Sequence, residues 1–187
     1  VLRHLRDDLI VKRDYHVSTG NQMTKYLYDL LNREKLDEVA YRLTIQKTYP
    51  SIGFMLEEGA TTIWERWENM TGGHMNSHSH PMLGAFSTWF LKGLGGIRPG
   101  EESRKREYEL EPALIRELSF AEASHTFMNG TLACRWERME DRVVILAEVP
   151  WNSSVILKIP EPGFKIAKII ADKKVTKPGG SGVQKSI

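Results

Sequence analysis

The sequence predicts an α+β chain in two parts, a helical piece over residues 1–97 followed by an antiparallel β-sandwich over residues 98–187. Three observations carry this expectation. Apolar residues recur at three- and four-residue spacing through the first half of the chain. Gly95-Gly96 and Arg98-Pro99-Gly100 then interrupt it. From about Tyr108 onward the apolar spacing falls to two, with turn residues at the intervals usual for a sandwich. A chain of 187 residues has room for one domain, or for a small domain beside part of another.

Met23, Leu27, Leu30 and Leu31 fall on one helical face and predict a helix from Met23 to Arg33, with Ser18 or Thr19 as its start signal. Leu36, Val39, Ala40 and Leu43 predict a second helix after the short Arg33-Glu34-Lys35 connection, so the two read as a helical hairpin. Pro50, Gly53 and Gly59 break the periodicity between Tyr49 and Gly59, which places the following residues on a loop leading into a short helical turn. Pro81 suits a first helical position, and Leu83, Phe86, Trp89 and Phe90 continue that helix to the stop at Gly93 and Gly95-Gly96.

In the second part, Asn129-Gly130 after Phe127 signals a hairpin. Leu132, Cys134 and Trp136 then alternate with Thr131, Arg135 and Glu137, as a half-buried strand requires. Further strands are expected over Val143–Val149, Val155–Ile159 and Phe164–Ile170, separated by Pro150-Trp151-Asn152 and Pro160-Glu161-Pro162-Gly163. Pro178-Gly179-Gly180-Ser181-Gly182 reads as a flexible tail.

Bulk composition excludes several classes of partner. The 26 Lys and Arg against 24 Asp and Glu leave a formal charge of +2, too small to argue for nucleic acid. No apolar run approaches the roughly 18 residues of a membrane-spanning helix. Cys134 stands alone, so no intrachain disulfide can form, and its strand position predicts a small core residue. The chain opens at Val1 rather than Met and is read as a piece of a longer protein, whose compartment the sequence does not indicate.

The chemistry gathers in Gly59-Ala60-Thr61-Thr62-Ile63-Trp64-Glu65-Arg66-Trp67 and in Met75-Asn76-Ser77-His78-Ser79-His80-Pro81. A carboxylate between indoles, with amides and imidazoles nearby, is the composition of a sugar site. Indole faces stack on pyranose rings, and short polar groups hold the hydroxyls. Each residue also has a plainer role. Thr62-x-x-Glu65 matches a capping box, and spacing alone favours that reading. Arg66 could serve a surface ion pair, and Asn76 could cap the helix at Pro81. Trp64 and Trp67 are three residues apart, so one of them is expected in the core. His74, His78 and His80 suggest a metal, but no carboxylate or cysteine converges on them and Gly72-Gly73 and Pro81 make the stretch a loop, so neither metal nor cofactor is expected.

The nine residues from Gly59 to Trp67, the Met-Asn-Ser-x-x-His pattern ending at His80 and the apolar run to Gly95-Gly96-Ile97 together resemble the bacterial α-L-rhamnosidases, which are inverting glycoside hydrolases. His16-Val17-Ser18-Thr19-Gly20 and Tyr49-Pro50-Ser51-Ile52-Gly53-Phe54 extend the resemblance upstream. Pro99-Gly100, the Gly130–Trp136 strand and Val149-Pro150-Trp151-Asn152 extend it downstream, over nearly the whole chain.

The resemblance implies that residues 1–97 are the last helices of an (α/α)6 catalytic barrel and residues 98–187 its C-terminal β-sandwich. It implies that Glu65 is the general base, reversing the odds that favoured the cap, and that His80 binds rhamnose hydroxyls; Trp64, Trp67, Arg66 and Asn76 are the further residues read from the sequence as sugar-binding candidates. The family's general acid lies in an upstream acidic motif that nothing before Glu65 matches, so the piece is expected to hold half a catalytic pair and to be inactive alone. An arc of a barrel also exposes apolar surface. A rhamnose-containing glycoside and the rest of the same protein, or a second copy covering the helices, are therefore the expected partners. The reading from a different class is a non-catalytic carbohydrate-binding or structural module.

Overall fold

A computed structural model describes residues 2–72, 77–100, 106–159 and 185–186. His74, Asn76, the strand expected over Phe164–Ile170 and the Pro178–Gly182 tail lie outside the described residues. The chain divides into two compact units, Val1–Trp89 and Phe90–Ile187.

The first unit is helical. α1 (Leu2–Asp7) continues into a π-helical turn over Asp8–Lys12 that buries Leu9. α2 (Asn21–Arg33) buries Thr24, Leu27, Tyr28 and Leu31, the i, i+3, i+4, i+7 stripe of a helix packed on one side. Its N-cap is Gly20, without a side-chain cap, rather than Ser18 or Thr19. The Thr19 hydroxyl instead bonds that of Thr24, which also donates to the Gly20 carbonyl.

α3 (Asp37–Ile45) buries Val39, Ala40 and Leu43 against α2. The turn between the two helices places Lys35 at φ 59°. Asp37 is 9% exposed, and its Oδ1 accepts from Asn32 Nδ2 and from Trp89 Nε1, both at 2.8 Å. One oxygen thus ties α2, α3 and the end of the unit together.

Between Tyr49 and Gly59, where broken periodicity predicted no regular element, there is a short helix, α4 (Ile52–Glu57). Ser51 makes it. Its Oγ accepts from the Phe54 N–H at 2.9 Å and donates to the Gln46 carbonyl at 2.9 Å. Gly53 is required for the close approach, since a Cβ there would stand 2.0 Å from the Gln46 carbonyl oxygen.

The helix expected from Pro81 forms as a 3₁₀ segment, Pro81–Ser87. Leu83, Phe86 and Trp89 are all buried, and a spacing of three suits a helix with three residues per turn better than an α-helix. This segment packs against α2, with Tyr28 6.0 Å from Phe86 and 6.3 Å from Trp89 between ring centroids.

The second unit opens with a π-helical turn, Phe90–Leu94, and contains two sheets. One has the order β1 (Ile97–Pro99), β2 (Glu107–Leu110), β6 (Ser154–Leu157), β7 (Lys185–Ser186). The other is a meander of β3 (Phe120–Phe127), β4 (Gly130–Arg138) and β5 (Val143–Glu148), all antiparallel. The expected hairpin is present, with Phe127 opposite Gly130 and the glycine at φ 126°.

One pairing departs from the antiparallel expectation. β2 and β6 run parallel, Tyr108 opposite Val155 and Leu110 opposite Leu157. Ile97, Tyr108, Leu110 and Val155 from the first sheet meet Leu132 and Cys134 from the second in one core, which makes the pair a sandwich. Trp136 is fully buried on the same face as Cys134, and its indole N–H donates to the Leu94 carbonyl at 2.9 Å.

Candidate active site

Residues 60–70 contain neither helix nor strand, so the capping box that Thr62 and Glu65 could have formed is absent. The backbone N–H that such a box would give to Thr62 is used elsewhere: Glu65 N–H donates to the Ser77 carbonyl at 2.8 Å. Two positions along, His80 N–H donates to the Ile63 carbonyl at 2.8 Å. Segments 62–65 and 77–80 therefore zip together as a short ladder, and the Thr62 hydroxyl closes it by donating to the His78 carbonyl.

This ladder positions the carboxylate. Glu65 is half-buried, and its Oε2 accepts from the Ser77 N–H at 3.0 Å. Three further bonds hold the loop beyond it: Trp67 Nε1 donates to the Thr19 carbonyl at 2.8 Å, Tyr49 Oη to Glu68 Oε1 at 3.3 Å, and Asn69 Nδ2 to Glu58 Oε2 at 3.0 Å. The α2 entry, the Tyr49 segment and the end of α4 thus each anchor one residue of the loop. An open depression of about 380 Å³ lies beside it, lined by Gly20, Asn21, Glu65, Arg66, Trp67 and Glu68. That volume falls within the range of about 300 to 1,000 Å³ usual for small-molecule sites.

The two indoles have different surroundings. Trp64 is 3% exposed and His78 stacks on it, with centroids 4.7 Å apart and planes 19° from parallel. Trp67 is 9% exposed but lines the depression, as does the exposed Arg66. His80 caps the 3₁₀ segment, its Nδ1 accepting from the Met82 N–H at 3.5 Å. An accepting Nδ1 leaves Nε2 as the nitrogen that carries a proton and can donate. Among the described residues no group of His, Cys, Asp or Glu is arranged to hold a metal ion.

Glu68, Asn21 and Gly20 are depression residues that the sequence reading did not single out. Glu68 belongs to the same loop as Glu65, and only the fold brings the α2 entry to that loop. Gly20 entered the sequence reading only as the end of the His16–Gly20 segment, and Asn21 carried no signal there.

A helical unit that displays a tethered carboxylate on a loop is followed in this chain by a two-sheet β unit, and the two correspond in order to two family models. Residues 2–94 match the bacterial alpha-L-rhamnosidase 6 hairpin glycosidase domain, and residues 96–169 match the bacterial alpha-L-rhamnosidase C-terminal domain. The chain belongs to the bacterial α-L-rhamnosidase family.

It is 34% identical over 158 residues to an α-L-rhamnosidase of Streptomyces avermitilis, a match covering 81% of this chain and 15% of that protein. An α-L-rhamnosidase of Alteromonas sp. is 33% identical over 152 residues, covering 78% and 16%. Among solved structures, the α-L-rhamnosidase from Dictyoglumus thermophilum superimposes with a TM-score of 0.84 at 36% identity, over 99% of this chain and 21% of that one. The Streptomyces avermitilis enzyme in complex with L-rhamnose superimposes with a TM-score of 0.76 at 28% identity, over 95% and 18%. The chain therefore spans about a sixth of the length of these curated relatives.

Proposed function

We propose that this chain supplies the general base and part of the sugar site of an α-L-rhamnosidase that removes terminal α-L-rhamnose with inversion. The observation that carries the proposal is the placement of Glu65 on the depression, with Oε2 fixed by the Ser77 N–H. A carboxylate held by one oxygen keeps the other available to take a proton from water as that water attacks the anomeric carbon. Membership of the family and the L-rhamnose bound to the Streptomyces relative support rhamnose as the sugar.

Within this reading His80 donates from Nε2 to a sugar hydroxyl. Trp67 offers an indole at the depression and Arg66 a polar contact; Asn76 is a further candidate for binding the sugar. Trp64 backs the site by holding the His78 ring against the ladder that carries Glu65. No metal or organic cofactor takes part.

Inversion needs a second carboxyl group, about 6.5 to 9.5 Å from the base, to protonate the departing oxygen. That group comes from elsewhere in the parent protein, and the isolated chain is inactive. Exposed Val11, Met23, Tyr26 and Leu56 on the helical unit are the surface that the remainder of the six-hairpin domain covers.

The deciding experiment is hydrolysis of an aryl α-L-rhamnoside by the complete parent protein, by its Glu65→Gln variant and by this chain alone. Activity in the parent, its loss in the variant with the fold kept, and silence in the isolated chain support the reading. Near-parental activity of Glu65→Gln removes the base assignment. A parent inactive across a panel of glycosides leaves the non-catalytic carbohydrate-binding or structural module as the better account.

A further inference from the structure

We infer that Glu68, oriented by Tyr49, is a second sugar-contacting carboxylate of the same depression, accepting a hydroxyl of the ring on which Glu65 acts; this rests on the functional reading above. Glu68 and Glu65 both line the depression, and a link of three residues keeps their Cα atoms within about 11 Å of each other. One bound sugar can therefore reach both. Asn21 lines the same depression and brings an amide, a group that donates to and accepts from hydroxyls.

Tyr49 separates this arrangement from a chance surface glutamate. Its hydroxyl donates to Glu68 Oε1 at 3.3 Å, and its ring is set edge-on to Phe54 of α4, centroids 5.5 Å apart. Desolvation first, and then the Glu68 charge and the hydrogen bond to it, raise the Tyr49 hydroxyl above its ordinary 10.0, so it remains a donor over the whole neutral range. A carboxylate has room for more than one donor. With Tyr49 occupying one site on Oε1, Glu68 is turned toward the depression with capacity left for sugar hydroxyls. Met70 N–H also donates to the Glu68 backbone carbonyl at 3.0 Å, which fixes the backbone beneath the side chain.

Glu68 thus acts in binding and sugar selection, and Tyr49 is a positioning residue acting through it. The test is steady-state hydrolysis of an aryl α-L-rhamnoside by the complete parent protein, comparing wild type, Glu68→Gln, Tyr49→Phe and the double variant, with thermal unfolding of each. Glu68→Gln keeps an acceptor for Tyr49 and removes only the charge. The expected result is a rise in KM on the order of 10- to 100-fold, the loss typical of a hydrogen bond to a charged group, with kcat changed little. Tyr49→Phe raises KM by a smaller factor, and the double variant falls short of the product of the two.

An unchanged KM in Glu68→Gln, in a parent that hydrolyses the substrate and loses activity with Glu65→Gln, overturns this inference and leaves the function standing. A collapse of kcat at constant KM also overturns it, because Glu68 would then be acting on the reacting bond. A wild-type parent without rhamnosidase activity overturns both together.

Discussion

Glu65 and Ser77 hold each other twice: the Glu65 N–H donates to the Ser77 carbonyl at 2.8 Å, and the Ser77 N–H donates to Glu65 Oε2 at 3.0 Å. Backbone and side chain of one residue are thereby fixed by the backbone of another, twelve positions along. Both bonds to Glu65 run through the Ser77 backbone, while the Ser77 hydroxyl accepts from the Ser79 N–H at 3.1 Å.

Replacing Glu65 by Gln keeps an oxygen for the Ser77 N–H but removes the proton acceptor of the proposed mechanism. In the complete parent, kcat for an aryl α-L-rhamnoside falls by about 10²- to 10⁴-fold, the usual share of a general base. Thermal unfolding of the variant stays close to wild type. Replacing Ser77 by Ala leaves both backbone bonds in place and leaves kcat near wild type in the same assay.

Asp37 governs the stability of the helical unit. In Asp37→Ala the Asn32 amide and the Trp89 indole N–H both lose their buried acceptor. The unfolding free energy measured by urea denaturation drops by about 3 kcal/mol. Asp37→Asn keeps an oxygen for both donors and loses less.

Gly96 tolerates no side chain. Its φ is +65°, and a Cβ would stand 2.2 Å from both the Glu111 carbonyl carbon and the Pro112 nitrogen. Gly96→Ala lowers stability by at least about 2 kcal/mol in denaturant titration, combining backbone strain with overlap against backbone that cannot swing away.

Burial pushes the Cys134 thiol from 9.0 up to about 12, and burial likewise carries the Tyr28 hydroxyl from 10.0 to about 12 despite the opposing Thr44 hydrogen bond. Both groups hold their protons more tightly folded than unfolded. Their contribution is complete below pH 9, and stability declines as pH rises from about 9 toward 12, because unfolding then releases protons. Urea midpoints measured across that range move steadily downward. At pH 8 Cys134 is unreactive to a thiol reagent in the native protein and is labelled once denaturant is added.

The elements that were legible in sequence are those whose burial follows a single period. α3 shows its apolar stripe directly, α2 shows Leu27 and Leu31 of its stripe while Met23 is exposed and Thr24 and Tyr28 complete the buried face, and Leu132, Cys134 and Trp136 show the inward face of β4. α4 was invisible because its formation depends on Ser51, a polar residue whose hydroxyl serves two segments at once, and on the absent side chain of Gly53. The 3₁₀ path of Pro81–Ser87 could be told from an α-helix only by noticing that Leu83, Phe86 and, just beyond it, Trp89 repeat at three.

At the candidate site, the Gly59–Trp67 motif pointed to Glu65, but local spacing favoured a helix cap. The partner that settles its geometry, Ser77, acts through its backbone, which no side-chain pattern encodes. Glu68 and Asn21 were missed for a related reason. A lone glutamate in a loop and an asparagine opening a helix have no local pattern, and only the fold places them on one depression.

The parallel pairing of β2 with β6 sets an order of events during synthesis. β3, β4 and β5 are neighbours in sequence and can pair as soon as they leave the ribosome, each needing only a short loop to close. β2 emerges earlier, yet Tyr108 cannot meet Val155 until the whole meander has followed it out. Until then the Tyr108 and Leu110 side chains have only part of their eventual cover, and the edge of β2 that β6 will occupy stands open. A ribosome stalled before Ser154 would therefore hold a chain with a finished three-stranded sheet and an unclosed partner, a state vulnerable to proteases and to strand exchange with its neighbours.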